Sequence, residues 1–241
     1  MSDQSRLLSW IEWMKIIVCG LSLGGLLGYS AYMVRCWFHS LPIYWPINWC
    51  LYCILYTTFH LVEFFLSAIY RLNDLSFKSF LVNQSWQYMI CTIFGVIEFW
   101  IEHSWFGLHK NQSTVFWFGF VVSSAGLLLR FAAEVKLGTD FTYIIRKEKV
   151  GTHELVTNGI YSVFRHPSYT GWFYYCVGRE ILLMNPINFL VTAISTWLVI
   201  YYRILYEEKY LLSFFEEYEA YQHRTHLFIP FLSSNAAKVS V

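Results

Sequence analysis

Apolar residues in this chain come in runs too long for the core of a soluble domain. They cover about residues 15–34, 47–70, 85–101 and 114–133, each close to the ~20 residues a helix needs to cross a bilayer. A polar stretch follows over 134–168, with Lys136, Asp140, Arg146, Lys147, Glu148 and Lys149. A second apolar block then runs from Tyr169 to Tyr202, divided by Asn185-Pro186. Proline cannot continue the helical hydrogen-bond ladder, and it pushes the residue before it out of helix. The pattern therefore predicts a helical hairpin, 169–184 and 187–206, turning at Asn185-Pro186, whose first arm is short for a full crossing. The total is about six membrane helices, with five or seven as the alternatives.

Beyond the last run, Leu211, Phe214, Phe215, Tyr218 and Tyr221 recur at helical spacing, with Glu207, Glu208, Glu216, Glu217 and Glu219 on other faces. This predicts an amphipathic helix that continues from the bilayer and packs back on the membrane surface. From Ser233 the chain is small and polar and is expected to be a disordered tail.

Composition agrees with the pattern. Only 14% of the 241 residues are charged, against about 25% in soluble domains, so the chain is read as an all-α integral membrane protein. The net charge of +1 speaks against nucleic acid as a partner. Ile16–Val34 reads as a span rather than a cleavable signal, since no small-residue cleavage site follows it. Cys50 and Cys53 form a C-x-x-C, but no second ligand pair stands at metal spacing. Asn83 and Asn111 match glycosylation sequons close to spans. With 134–168 on the cytosolic side, the inner segments hold twelve of the 17 Lys and Arg residues. The positive-inside rule then puts both termini in the cytosol.

Ionisable residues at membrane depth are costly and are candidates for function by default. Glu63, Glu98, Arg130, Arg179, Glu180 and Arg203 qualify. Arg203 lies one turn before Glu207, so the two share a helix face. They can pair only with each other, or each can hold part of a ligand. Arg165-His166-Pro167, flanked by Tyr161, Ser168, Tyr169, Gly159 and Gly171, sits where polar chain meets apolar chain. The proline frees backbone groups there, and these persist only if buried in protein or lining a wet cavity. No dinucleotide fingerprint, P-loop or H-E-x-x-H is present. Gly20 and Gly24 in the first run are spaced as a small-xxx-small helix contact.

Several of these residues form a longer pattern. His153-Glu154-Leu155-Val156-Thr157 is followed by Gly159-x-Tyr161, then by Arg165-His166-Pro167-Ser168-Tyr169-x-Gly171-Trp172-Phe173. After the hairpin come Arg203, Glu207-Glu208 and Phe214-Phe215-x-Glu217-Tyr218-x-x-Tyr221. In these residues, and upstream in Phe59-His60, Glu63 and Glu98-Phe99, the sequence resembles the isoprenylcysteine carboxyl methyltransferases. The short Arg-His-Pro core is shared with phospholipid methyltransferases and some sterol reductases. The longer string is more specific to the carboxyl methyltransferases.

The resemblance implies methylation of the C-terminal carboxylate of prenylated CaaX proteins at the endoplasmic reticulum membrane. S-adenosylmethionine would be the donor and S-adenosylhomocysteine the product, and no Rossmann domain is expected. It implies that His153, Glu154, Leu155, Val156, Tyr161, His166, Pro167, Ser168 and Tyr169 surround the cofactor, with Glu207 joining from the last helix. Arg203 would engage the substrate carboxylate. Arg146 stands where the family usually has Gln, another cofactor contact. Two further departures are the lack of two extra N-terminal spans found in longer vertebrate enzymes, and Arg224-Thr225-His226 where a Val-Pro is common. The chain is thus read as one membrane domain. Four spans fill 1–133, a cofactor-binding segment with hairpin and amphipathic helix fills 134–232, and the tail is 233–241. Partners would be farnesylated or geranylgeranylated C-termini of small-GTPase type and membrane lipids. The rival readings are a phospholipid N-methyltransferase, a sterol reductase using NADPH, and a small transporter or lipid-binding protein.

Overall fold

The computed structural model describes residues 9–105, 114–149 and 154–232. It has seven α-helices over these residues: α1 (Trp10–Phe38), α2 (Ile47–Tyr70), α3 (Trp86–Trp105), α4 (Thr114–Leu137), α5 (Pro167–Leu183), α6 (Pro186–Phe214) and α7 (Tyr218–Arg224). The remaining regular elements are short 3-10 turns and one isolated parallel bridge, Phe164 to His226. The all-α expectation is met. Among the described residues four helices are long and apolar enough to cross a membrane: α1, α2, α4 with the turn that extends it to Asp140, and α6. The expected segments 85–101 and 169–184 form α3, of 20 residues, and α5, of 17. The chain forms two compact units. One comprises residues 1–124 and 177–191, the other 125–176 and 192–241, so the division runs through α4, α5 and α6. The expected tail, 233–241, lies outside the described residues.

In the first unit the hairpin turns where proline chemistry places it. Met184 takes a positive φ of 56°, Asn185 donates its amide to Glu180 O at 3.1 Å, and Pro186 opens α6. Proline suits a first helical position because that amide would be unpaired in any case. The carboxylate of Glu98 then caps α6 from another helix, accepting from the Ile187 and Asn188 amides at 2.8 and 2.7 Å. This answers the positive end of the helix dipole. Arg179 and Glu180, both buried, pair at 3.5 Å. Arg179 also donates to Tyr88 Oη and Thr92 Oγ1, and Asn185 Nδ2 donates to Glu180 and to Gly95 O. Thus Glu98, Arg179 and Glu180 resolve into a buried structural network. His60 bridges Phe80 O through Nδ1 at 2.6 Å and Tyr88 Oη through Nε2 at 3.2 Å, and Glu63 is buried beside it in α2.

Close helix packing occurs, but not where Gly20 and Gly24 suggested. A Cβ on Gly24 would meet nothing within 4 Å, and one on Gly20 only the rim of the Phe80 ring at 3.9 Å. Neither glycine is a point of close backbone approach. The tight contact is between α4 and α5. In the first unit a Cβ on Gly119 would lie 2.3 Å from Leu182 N, and one on Gly178 would lie 2.5 Å from Ser123 N. In the second unit a Cβ on Gly126 would lie 2.5 Å from Tyr175 N, and one on Gly171 would lie 2.6 Å from Gly126 O. Here the two backbones touch, so no side chain fits between them.

The expected amphipathic helix from Glu207 to Tyr221 is two helices. The last span continues unbroken to Phe214, the chain turns at Glu216-Glu217, and α7 follows. Residues three apart drift by ~60° around a straight helix, so Phe215, Tyr218 and Tyr221 would spread over ~120° of a continuous one. The break brings all three into one buried cluster. Lys149 marks the stop: its Nζ donates to Phe214 O at 3.0 Å and sits 4.7 Å above the Phe215 ring, a cation on the last carbonyls of α6.

Candidate active site

All the geometry below belongs to the second unit. The segment before α5 is tied down at each step. Gly159, with φ of +64°, opens a 3-10 turn over Gly159–Ser162. Tyr161, buried in that turn, donates to Ala133 O at 3.4 Å, and its own carbonyl accepts from Tyr221 Oη at 2.8 Å. Burial, then the nearby Glu207 carboxylate, pushes the Tyr161 phenol well above its ordinary range, so it stays a neutral donor.

Arg165 is almost fully buried and its guanidinium is used up by protein. Nη1 meets Glu208 Oε1 at 3.1 Å, Nη2 donates to Gln222 O at 2.6 Å and Thr225 O at 3.2 Å, and Nε donates to Thr225 Oγ1 at 3.4 Å. It therefore joins the turn to α6 and α7 and leaves no hydrogen-bonding edge for a ligand. His166 Nε2 lies 3.2 Å from the same Glu208 oxygen. A carboxylate only accepts, so Nε2 carries the proton in this contact. Gln222 Nε2 donates to the other Glu208 oxygen at 2.9 Å.

Pro167 is the first residue of α5. Ser168 Oγ accepts from Arg130 Nη1 at 3.1 Å, and Arg130 pairs with Glu134 at 3.1 Å while its guanidinium lies 5.3 Å from the Trp172 ring centre. Arg130 thus holds the start of α5 from α4. Tyr169, one residue on, occupies the position between Arg203 and Glu207. Its Oη donates to Glu207 Oε2 at 2.6 Å and accepts from Arg203 Nε at 3.3 Å, with the Arg203 guanidinium 5.5 Å from its ring centre. Arg203 Nη2 donates to Tyr143 O at 2.8 Å.

The two possibilities left open for Arg203 and Glu207 therefore meet a third arrangement. They are four residues apart but form no ion pair within 4 Å among the described residues; a tyrosine hydroxyl stands between them. Nη1 of Arg203 and Oε1 of Glu207 have no hydrogen-bond partner among the described residues. Arg203 presents one uncommitted nitrogen rather than a free fork, since Nε and Nη2 are already engaged.

Of the remaining expected residues, Glu154 is exposed and Leu155 and Val156 are half-buried. Leu155 packs against the Phe215, Tyr218 and Tyr221 cluster. Glu154 to Thr157 are neither helix nor strand, and no main-chain hydrogen bond forms from them among the described residues. His153 lies outside the described residues. Arg146 is 3.8 Å from Asp140 Oδ1 and reaches none of the other expected residues by a hydrogen bond or ion pair.

Glu208, Gln222, Thr225, Tyr143 and Tyr218 complete the neighbourhood and were not among the expected site residues. A signal for Glu208 existed: Ile200, Ile204 and Glu208 are four apart and all buried, so helical spacing places Glu208 on the inward stripe and Glu207 beside it. Tyr218 is 1% exposed, and its Oη has no hydrogen-bond partner among the described residues. Burial pushes its phenol well above the ordinary range, with Glu208 and Glu207 adding to the effect, so it is a neutral, unused hydroxyl close to both carboxylates.

These residues fit a cationic, polar cofactor. A half-buried carboxylate with one free oxygen and a partly exposed run of backbone without main-chain hydrogen bonds can bind such a molecule, and the buried Tyr218 hydroxyl, which has no partner among the described residues, calls for one. Tyr169, stacked on His166 with ring centres 5.5 Å apart, adds an aromatic face of the kind that attracts a cation.

Comparison with known proteins points to one family. A family model described as the isoprenylcysteine carboxyl methyltransferase (ICMT) family matches residues 117–213. The Dictyostelium discoideum protein-S-isoprenylcysteine O-methyltransferase is 40% identical over 166 residues, covering 68% of this chain and 70% of that one. The Homo sapiens protein of the same name is 36% identical over 175 residues, covering 72% of this chain and 62% of the human protein. A solved structure of the eukaryotic intramembrane Ras methyltransferase, an isoprenylcysteine carboxyl methyltransferase, superposes with a TM-score of 0.73 at 36% identity. The match covers 77% of this chain and 67% of that one.

Proposed function

The chain belongs to the isoprenylcysteine carboxyl methyltransferase family of membrane proteins, and on that footing we propose how it works. It methylates the C-terminal carboxylate of an isoprenylated cysteine with S-adenosylmethionine, at the cytosolic face of the endoplasmic reticulum membrane. The observation that carries this reading is the Arg203–Tyr169–Glu207 arrangement: a positive and a negative group, one turn apart, kept from neutralising each other and each left with one free atom.

The substrate carboxylate has a reference pKa of about 3.5 and is already ionised at neutral pH. No general base is required. Arg203 Nη1 receives one carboxylate oxygen. Tyr143 O and Tyr169 Oη hold the guanidinium plane in place, so the charge-assisted bond forms without reorganisation of the side chain. Glu207 Oε1, Tyr218 Oη and the backbone of Glu154 to Thr157 would hold the cofactor, with His166, Ser168 and Tyr169 beside them. When bound, S-adenosylmethionine supplies a methyl group made electrophilic by its sulfonium. The chain's task is to align donor and acceptor, where orientation can contribute up to ~7–11 kcal/mol, and to exclude water while opposite charges cancel. The isoprenoid is drawn from the bilayer, at ~0.8 kcal/mol of membrane affinity per buried CH₂. The ester product has lost a negative charge that anionic membranes repel.

The phospholipid and sterol readings are not favoured, since the relatives above are named for carboxyl methylation. The test is transfer of labelled methyl from S-adenosylmethionine to N-acetyl-S-farnesylcysteine and its geranylgeranyl counterpart, with a phospholipid acceptor in parallel. Base-labile ester on a thioether acid is the expected product. Label appearing only on phospholipid would overturn the assignment.

A further inference from the structure

The segment after α7 follows neither helix nor the polar pattern of a surface loop. From Thr225 to Leu232 it contains no Asp, Glu, Lys or Arg. Side chains alternate: Leu227, Ile229 and Leu232 are buried, whereas Phe228 is 48% and Phe231 98% exposed. Both phenylalanines adopt positive φ, 52° and 62°, a region costly for a bulky side chain. The backbone is strained, yet the result is two large apolar rings turned outward.

Every carbonyl from Thr225 to Pro230 is nevertheless hydrogen-bonded. Thr225 O accepts from Arg165 Nη2 at 3.2 Å and His226 O from the Arg165 amide at 2.9 Å. Leu227 O accepts from Thr170 Oγ1 at 2.6 Å, and Phe228 O from Tyr174 Oη at 2.9 Å. Ile229 O accepts from the Leu232 amide at 3.1 Å, and Pro230 O from Trp197 Nε1 at 2.8 Å. A loop in water needs none of this, because water satisfies its carbonyls. Hydrocarbon cannot. The His226 and Leu232 amides also donate within the protein, to Val163 O and Ile229 O, whereas the amides of Leu227, Phe228, Ile229 and Phe231 meet no hydrogen-bond partner among the described residues. This suits a backbone at the membrane interface, within reach of water, with its two rings turned into the hydrocarbon.

The donors also fix a direction. Trp197 precedes Arg203 by six residues in α6, about 9 Å along the axis, and Tyr174 follows Tyr169 by five in α5, about 7.5 Å. Both displacements lead away from the end of the hairpin that carries Arg203, Tyr169 and Glu207, and along α6, which is apolar enough to span a membrane.

We propose that Thr225–Leu232 is a strap that lies in the membrane interface beside α5 and α6, with Phe228 and Phe231 inserted among lipid acyl chains. The partner is the hydrocarbon itself: an uncharged, outward-facing aromatic pair on a backbone whose acceptors are closed by protein suits no aqueous ligand. The strap does not depend on the proposed reaction.

The test uses full-length protein in phosphatidylcholine liposomes, with Cys19→Ser to remove the half-exposed thiol, the other five cysteines being buried. Nitroxide labels are placed singly at Phe228→Cys, Phe231→Cys and, as an aqueous reference, Glu216→Cys. Collisions with oxygen and with a water-soluble nickel chelate report depth. Positions 228 and 231 are expected to favour oxygen several-fold over position 216. Chelate access at 231 equal to that at 216 would overturn the proposal. Should a label disturb folding, unlabelled variants decide. Phe231→Leu is expected to keep the melting temperature in liposomes and Phe231→Asp to lower it; an unchanged melting temperature for Phe231→Asp would again overturn it.

Discussion

Tyr169 is the residue on which the account turns at the smallest scale. Its hydroxyl bridges Arg203 and Glu207, at 3.3 and 2.6 Å. Tyr169→Phe removes that hydroxyl and leaves a helical pair with spacing suited to direct contact. Arg203 is then drawn to Glu207 and away from substrate. The expected outcome is a loss of about tenfold in kcat/KM, the scale of one hydrogen bond to a charged group, falling on the KM for the prenylcysteine acid. Steady-state kinetics with each substrate varied in turn would show it. Glu208 behaves differently. It is buried with Arg165 and His166 at 3.1 and 3.2 Å, so Glu208→Ala removes the carboxylate that balances a buried guanidinium. That costs about 3–5 kcal/mol, and the expected readout is a large fall in melting temperature. Glu207→Ala, on the more open face, should weaken cofactor binding with a much smaller change in melting temperature.

At the scale of elements, the apolar runs showed the helices because hydrophobic length is a local property, and Asn185-Pro186 showed the hairpin because proline acts on its own neighbours. What stayed hidden was pairwise. Nothing in Gly20 and Gly24 distinguishes them from Gly126 and Gly171; only the partner surface does. Likewise the break at Phe215 depends on the distant Lys149, and the roles of Glu207 and Glu208 depend on which face of α6 meets Arg165. Substitution separates the glycine pairs. Gly171→Ala would place a methyl 2.6 Å from Gly126 O and should cost about 1–3 kcal/mol, as overpacking does. Gly24→Ala, with nothing within 4 Å, should stay within about 0.5 kcal/mol of the parent. Thermal unfolding of the two variants in one detergent makes the comparison.

At the scale of the whole molecule, the resemblance in the sequence carried the family, while composition alone carried only a multi-pass membrane protein. In the first unit Glu98, Arg179 and Glu180 are buried among protein partners; Arg203, Glu207 and Tyr218, each with a hydrogen-bonding atom that meets no partner among the described residues, belong to the second. A substrate delivered by the bilayer should be selected by its lipid. Shortening farnesyl to geranyl removes five carbons, up to ~4 kcal/mol of membrane affinity. The apparent KM in liposomes should rise steeply with that change, and less so in detergent where partitioning is weaker.

The central claim is that Arg203 receives the substrate carboxylate through Nη1 while Tyr143 O and Tyr169 Oη hold the guanidinium. Arg203→Lys keeps the charge but cannot keep both holding contacts and a third directed bond. The decisive measurement is labelled methyl transfer to N-acetyl-S-farnesylcysteine by the parent and by Arg203→Lys, with S-adenosylmethionine binding measured alongside. The predicted result is a fall of about 10- to 100-fold in kcat/KM for the acid, with cofactor binding retained. Full activity in Arg203→Lys would contradict it.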